Sequence, residues 1–356
     1  MDQQTYRRLI SGQVCPLVGV PLRLLLRILS WPYGLIVRLR NLFYDRGVLS
    51  SHRAGIPVLC VGNLTTGGTG KTPLVVWLAQ ALGQRGLRVA ILTRGYKGEK
   101  GVFSDEPAEL AAACPGAAVI VNPDRLAGAN DAVRSHGAQV AVMDDGFQHR
   151  RLRRDLDIIA LDATAPFGYG RLLPAGLLRE PVTGLRRAHA AVLTRSDQVS
   201  AGRLEEIERR IRQVHPELVV ARAVHAPVGA RGADGGEIEL EALRGRKVFG
   251  FCGLGNPGAF FRTVEACGCT LAGSEAFNDH HRYTESCLVD VCGKAQSLGA
   301  ELVLTTSKDW SKIAPLLEGE PALPTAYLAV ELQFVGGQEA LTTLIERTLG
   351  GRIASL

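Results

Sequence analysis

Within the eight residues Thr65, Thr66, Gly67, Gly68, Thr69, Gly70, Lys71 and Thr72 the chain brings together three glycines, one lysine and one hydroxyl beside it. Glycines at this density let the backbone curl so that successive N–H groups converge on an anion next to a helix N-terminus. Lys71 is spaced to reach the β- and γ-phosphates of a bound nucleotide, and the Thr72 hydroxyl to ligate Mg²⁺. The strict form of this pattern has glycine where this chain has Thr65, and Gly67 and Gly68 can supply the turn instead. A second constellation is Asp144-Asp145, directly after the apolar run Val140–Met143. Carboxylates at the end of such a strand hold Mg²⁺ directly or through water, whereas the bland alternative is a polar turn. Together the two point to ATP as the ligand, with Mg²⁺ as cofactor.

These groups need elements that hold them. Residues 57–62 form a short apolar run ahead of the glycines, and Leu74, Val75, Leu78 and Leu82 follow at helical spacing. That is the order strand, loop, helix. Further strands are expected at Val89–Leu92, Val140–Met143, Ile158–Leu161 and Ala191–Leu193. Strands alternating with helices predict an α/β fold with a P-loop NTPase-like, mostly parallel sheet. Between residues 197 and 246 the chain turns polar and glycine-rich, with a helix-like stretch at 204–214, and reads as a surface connector. Strands at Lys247–Cys252, Leu302–Thr305 and Tyr327–Leu332, with a helix over 260–266, predict a second, smaller α/β domain. The expected division is 1–50, 51–240 and 241–356. Gly253-x-Gly255 lacks the third glycine of a dinucleotide fingerprint.

Charge is unevenly distributed. The chain carries a formal net charge of +6, and residues 1–53 hold eight arginines against Asp2 and Asp45, which accounts for the whole excess. The neutral remainder argues against a nucleic-acid-binding body. From 15 to 43 the sequence is apolar but interrupted by Pro16, Pro21 and Pro32 and by arginines, short of the ~20 uninterrupted apolar residues of a simple spanning helix. Leu22, Leu25, Leu26 and Leu29 share one helical face while Arg23 and Arg27 lie on another, and the theme repeats after a break at Pro32. The pattern predicts an amphipathic, membrane-associating helix lying in an anionic leaflet; an ordinary helix docked on the protein's own core has the same periodicity. Most of the eight cysteines read as small buried hydrophobes. Cys267, Cys269, Cys287 and Cys292 are not spaced as a usual zinc ribbon.

The motifs around these groups resemble those of the tetraacyldisaccharide 4'-kinase family of lipid A biosynthesis. The residues that carry the resemblance are the run 63–73, Arg94-Gly95-Tyr96, the run Asp144–His149 and the pair of runs 172–176 and 178–181. Arg40-Asn41 with 44–47, Phe277–Tyr283 and Thr306–Asp309 extend it. The resemblance implies transfer of the ATP γ-phosphate to the 4'-hydroxyl of tetraacyldisaccharide 1-phosphate, with Mg²⁺. It also implies a lipid disaccharide substrate and work at the cytoplasmic side of the bacterial inner membrane; a monomer is expected, though no residue pattern fixes the oligomeric state. Asp105 matches the family's catalytic aspartate and His280 its histidine partner. Arg94, Tyr96, Arg125, His149, Arg179 and Glu180 match residues of the shared substrate region. Departures are the short stretch 97–104 before Asp105, Asn278 in place of proline and Ser307 in place of glutamate. Without the resemblance, Asp105 reads as a helix cap. A soluble kinase for another small alcohol and a nucleotide-dependent switch are the other classes compatible with the phosphate loop.

Overall fold

The computed structural model describes residues 3–13, 16–95, 105–232, 236–278, 281–317 and 323–353. In chain order the helices are α1 (Gln3–Ser11), α2 (Pro16–Asp45), α3 (Lys71–Gly83), α4 (Asp105–Ala113), α5 (Arg125–His136), α6 (Ala201–Val214), α7 (Leu240–Leu243), α8 (Pro257–Ala266), α9 (Glu285–Ser297), α10 (Ser307–Ile313) and α11 (Gln338–Ile353). The strands are β1 (Val58–Gly62), β2 (Val89–Thr93), β3 (Ala118–Val121), β4 (Val140–Asp144), β5 (Leu156–Asp162), β6 (Ala190–Thr194), β7 (Val219–Gly232), β8 (Glu237–Ile238), β9 (Lys247–Cys252), β10 (Thr270–Ala276), β11 (Leu302–Thr306) and β12 (Thr325–Gly336).

By compactness the chain falls into two units, Gln3–Val224 with Phe334–Leu356, and His225–Gln333. The chain leaves the first unit inside β7 and returns to it inside β12, so these boundaries differ from the 1–50, 51–240 and 241–356 division expected from composition. In the first unit the strand order is β7-β6-β5-β1-β4-β2-β3, with every neighbouring pair parallel. β1, β2, β4, β5 and β6 are buried along their whole length, as continuous apolar strands covered on both faces must be. In the second unit β10, β9, β11 and β12 pair in parallel, and β8 lies antiparallel to β7.

Parallel strands share one carboxyl edge, and that edge is where this topology places ligands. The central strand β1 pairs with both β4 and β5, with Val61 level with Asp144 and Gly62 level with Ile159. Asp162 of β5 is level with Thr194 of β6. The ends of four adjacent strands therefore present Gly62, Asp144, Asp162 and Thr194 side by side. Gly62 is required there by close approach: a Cβ would fall 2.6 Å from Phe147 Cβ.

Two stretches differ from expectation. Residues 219–232 form a 14-residue strand rather than a surface connector. Its burial alternates only in part, because it is half-covered, and so it lacks the unbroken apolar run of the central strands. Second, α2 is one 30-residue helix with Pro21 and Pro32 inside it, not two helices broken at Pro32. An interior proline removes one backbone hydrogen bond and is costly in an isolated helix, but α2 is held laterally. Ser30 Oγ donates to Leu172 O at 3.1 Å, the Tyr33 hydroxyl to Arg179 O at 2.7 Å, and Val37 is buried. The opposite face exposes Leu24, Ile28, Trp31, Leu35, Ile36 and Leu39. By length and composition alone, Gly19–Asp45 is long and apolar enough to cross a membrane.

Gly62→Ala is expected to lower the unfolding free energy by about 1–3 kcal/mol, the usual cost of overpacking. Urea denaturation followed by circular dichroism reads this directly; an unchanged midpoint would mean that Phe147 can give way.

Candidate active site

The loop between β1 and α3 has the conformation its sequence calls for. Gly67 (φ 104°) and Gly70 (φ 77°) adopt left-handed backbone, and Gly70 stands immediately before α3. L residues pay roughly 1–2 kcal/mol for such a backbone, so glycine is the fitting choice at both turns. The loop is tied down from outside. Arg195 Nη1 donates to Gly68 O at 3.0 Å and Thr194 Oγ1 to Thr69 O at 2.8 Å. Asn63 Nδ2 donates to Thr69 Oγ1 at 3.1 Å. On the other side Arg179 N donates to Leu64 O at 2.7 Å, and Thr66 N to Leu177 O at 2.8 Å. Arg195 is itself fixed by an ion pair to buried Asp162 at 2.6 Å.

Beside the loop lies a charge cluster centred on Asp145. Arg179 Nη1 reaches both its oxygens, at 3.0 and 2.9 Å, and Lys71 Nζ lies 3.6 Å away. Burial alone would raise the Asp145 carboxyl, but Lys71 and Arg179 together outweigh it and hold the group below its ordinary value. Asp145 has left-handed backbone (φ 49°), a conformation that for a non-glycine residue concentrates at functional sites. Its neighbour Asp144 is buried at the end of β4, and Arg125 Nη2 donates to the Asp144 carbonyl at 3.3 Å. Arg125 is placed by the first turn of α5, whose cap Asp124 accepts from Leu126 N and Ala127 N. Burial depresses the Arg125 guanidinium, though Asp144 and Asp145 oppose that. His149 is held below the ordinary imidazole value by burial and by Arg125 and Arg154, so it is neutral at pH 7.

Glu180, fully buried, is the anchor behind this cluster. It accepts from Arg187 Nη2 at 2.8 Å, Gln148 Nε2 at 2.9 Å and Asn41 Nδ2 at 3.3 Å. Gln148 Nε2 also donates to Asn63 O at 2.8 Å, at the root of the phosphate loop, and Arg187 lies over the Phe147 ring, 4.5 Å from its centroid. A buried carboxylate is tolerated when it is paired and its lone pairs are satisfied.

The structure thus gathers Thr65–Thr72, Asp144, Asp145, Arg125, His149, Arg179 and Glu180 at one edge of the sheet. Arg94 follows β2 and is exposed. Asp105 is the first residue of α4, and its side chain lies outside what the structure describes; Tyr96 and His280 lie outside the described residues altogether. Asn41 and Gln148 fall within motifs that carry the resemblance but were given no role, and Asp162, Arg187, Thr194 and Arg195 are site-building residues that the motif reading did not single out. Several follow apolar strands directly, a signal that could have marked them. In the second unit, fully buried Asp309 accepts from Gly253 N at 2.9 Å and from Thr306 Oγ1 at 2.7 Å, fixing the loop after β9. His281 stacks on Phe277, ring centroids 4.5 Å apart.

The donors suit a nucleotide with a hard cation. The loop is glycine-shaped, Lys71 opens the helix behind it, and two carboxylates and the Thr72 hydroxyl offer oxygen ligands, as Mg²⁺ requires. A parallel sheet with such a loop after its central strand, flanked by paired aspartates, defines a P-loop nucleotide-binding protein of the kinase type. The family model for tetraacyldisaccharide-1-P 4'-kinase (LpxK) matches residues 22–350, and the chain belongs to this family. It is 41% identical to the tetraacyldisaccharide 4'-kinase of Anaeromyxobacter sp. (strain K), over 95% of this chain and 93% of that protein. The corresponding kinase of Geobacter metallireducens is 38% identical, over 91% of this chain and 98% of its own length. A crystal structure of LpxK from Aquifex aeolicus in complex with ATP matches with a TM-score of 0.69 and 32% identity, covering 92% of this chain and 99% of that one.

A carboxyl group held below its unfolded value contributes stability above that unfolded value, about 3.9, and loses it as pH falls through the folded value. Asp145→Asn should therefore flatten the acid limb of the stability curve below about pH 4. Urea midpoints taken across that range check it. A slope like that of the parent would mean that Asp145 does not feel Lys71 and Arg179.

Proposed function

We propose that this protein is an ATP-dependent kinase that phosphorylates the 4'-hydroxyl of tetraacyldisaccharide 1-phosphate, forming lipid IVA in lipid A biosynthesis. The observation that carries the reading is the Lys71–Asp145–Arg179 cluster beside a glycine loop of phosphate-cradling form, in a chain of this family. The backbone of Thr65–Thr72 and Lys71 take the nucleotide phosphates. Thr72, Asp144 and Asp145 are the residues suited to hold Mg²⁺, which when bound neutralises charge on the phosphate oxygens.

In the reaction the 4'-hydroxyl oxygen forms a bond to the γ-phosphorus as the bond from that phosphorus to the bridging oxygen breaks, and ADP leaves. Asp105 accepts the hydroxyl proton, and His280 keeps that carboxylate ionised and aimed. Lys71 and Arg179, both poised on Asp145, meet negative charge on the transferring group. Arg94, Tyr96, Arg125 and His149 bind the acceptor, and Glu180 holds the loop that carries Arg179.

The acceptor is a lipid, and α2 suits it. One face of this helix bonds to the loop bearing Arg179, and the other exposes large apolar side chains. With the arginines of residues 1–53, that face lies on the cytoplasmic leaflet of the inner membrane. The protein acts as a monomer.

Purified protein given Mg²⁺-ATP and tetraacyldisaccharide 1-phosphate in mixed micelles should yield the 4'-phosphorylated lipid; absence of that product overturns the assignment. Lys71→Ala, Asp105→Ala and His280→Ala should each reduce turnover by at least about a hundredfold without loss of fold. Near-normal turnover in Asp105→Ala would move the proton acceptor to another group.

A further inference from the structure

The family match begins at residue 22, and α1 lies ahead of it. This helix is nonetheless docked. Leu9 and Ile10 are buried, and the Tyr6 hydroxyl donates to Pro174 O at 2.8 Å and lies 3.1 Å from Gly176 O. The stretch it grips runs directly into Leu177 and Arg179, whose backbones bond the phosphate loop at Thr66 and Leu64. Tyr6 thus ties α1 to the same scaffold that shapes the cradle.

The next residue is Arg7. Its guanidinium lies against the phosphate loop: a Cβ built on Gly67 would fall 2.8 Å from Arg7 Nη2. Gly67 is also one of the two left-handed turns of that loop. Arg7 is half-buried, and among the ion pairs of the described residues it has no carboxylate within 4.0 Å, unlike Lys71 and Arg179, which share Asp145. A guanidinium held at a phosphate loop, with five N–H donors and no acidic partner, is matched to phosphate oxygens.

We propose that Arg7 is a nucleotide-binding residue supplied from α1, contacting the terminal phosphate of bound ATP. The inference rests on the reading of the loop as an ATP site. It adds a third cation to Lys71 and Arg179 and makes the docking of α1 part of the phosphate site. A cation at the γ-phosphoryl group stabilises the charge spread over its oxygens during transfer.

The test compares the full-length parent, Arg7→Ala, Arg7→Lys and Lys71→Ala. Affinities for fluorescent ATP and ADP, kcat, separate KM values for ATP and lipid, and nucleotide-free thermal stability are measured. Arg7→Ala should weaken ATP binding by roughly tenfold or more, as expected for a lost charge-assisted phosphate contact, with a smaller effect on ADP. Its kcat should fall, while lipid KM and nucleotide-free melting temperature stay near the parent's. Arg7→Lys should recover part of the ATP affinity, since it restores the charge without the planar fork. Parent-like ATP affinity and kcat in Arg7→Ala overturn the proposal. So does a drop in nucleotide-free stability with the ATP-to-ADP preference unchanged, which marks a packing role, or a change confined to lipid KM. The parent's own ATP binding, and its loss in Lys71→Ala, test the loop itself; failure there overturns the ATP site and Arg7's role with it.

Discussion

A phosphate cradle needs the N–H groups of its glycine turn for the ligand, so its shape has to be imposed mainly through other atoms; Thr66 N, bonded to Leu177 O, is spent at its margin. That constraint organises the first unit. The carbonyls of Asn63, Leu64, Gly68 and Thr69 all accept from outside the loop, from Gln148, Arg179, Arg195 and Thr194. These donors come from the loop after β4, from the end of β6 and the residue that follows it, and from Arg179 itself. A loop of three glycines would otherwise sample many conformations, and each carbonyl bond removes some of that freedom before a ligand arrives. This is preorganisation in its usual physical sense: ordering costs are met in folding rather than in binding.

The same logic governs charge. A site for a polyphosphate needs several cations close together, and without a ligand they repel. Asp145 resolves this by sharing its carboxylate between Lys71 and Arg179. The carboxylate stays ionised because the two cations outweigh its burial. Glu180 does the equivalent one layer deeper with Arg187, and at 0% exposure it is the more costly charge to leave unpaired. Exposed pairs such as Arg203–Glu206 contribute little by comparison.

The fold was largely legible because the central strands are buried on both faces and read as unbroken apolar runs. β7 escaped that signal: it is half-buried and carries Arg222 and His225 among its partly exposed residues. The continuity of α2 was hidden by Pro21 and Pro32, whose local penalty is offset by contacts to residues such as Leu172 and Arg179, more than 100 positions away. In the site, the phosphate loop and Asp144-Asp145 were legible because their chemistry is contiguous in sequence. Their supports were not. Asn41 meets Glu180 across 139 residues and Arg195 meets Gly68 across 127, and no local pattern encodes such pairs. Thr194 and Arg195 hold the carbonyl side of the cradle.

α2 joins these themes, because its two faces do different work. Ser30, Tyr33, Gly34, Val37 and Asn41 recur at helical spacing and line the inner face. There Tyr33 bonds the Arg179 carbonyl, Asn41 bonds Glu180, and a Cβ on Gly34 would come within 2.8 Å of Leu172 Cδ1. The outer face carries Trp31 at 82% exposure and Ile36 at 66%. Burying such apolar area in a bilayer is favourable by roughly 25 cal/mol per Å², so a membrane would fix the orientation of the helix, and the helix carries the anchors of Arg179 and Glu180. On such a membrane, lipid contact and phosphate chemistry would be mechanically coupled through side chains three and four residues apart on one helix. A kinase whose acceptor hydroxyl belongs to a lipid needs that coupling, because the headgroup has to be met at a set height above the bilayer.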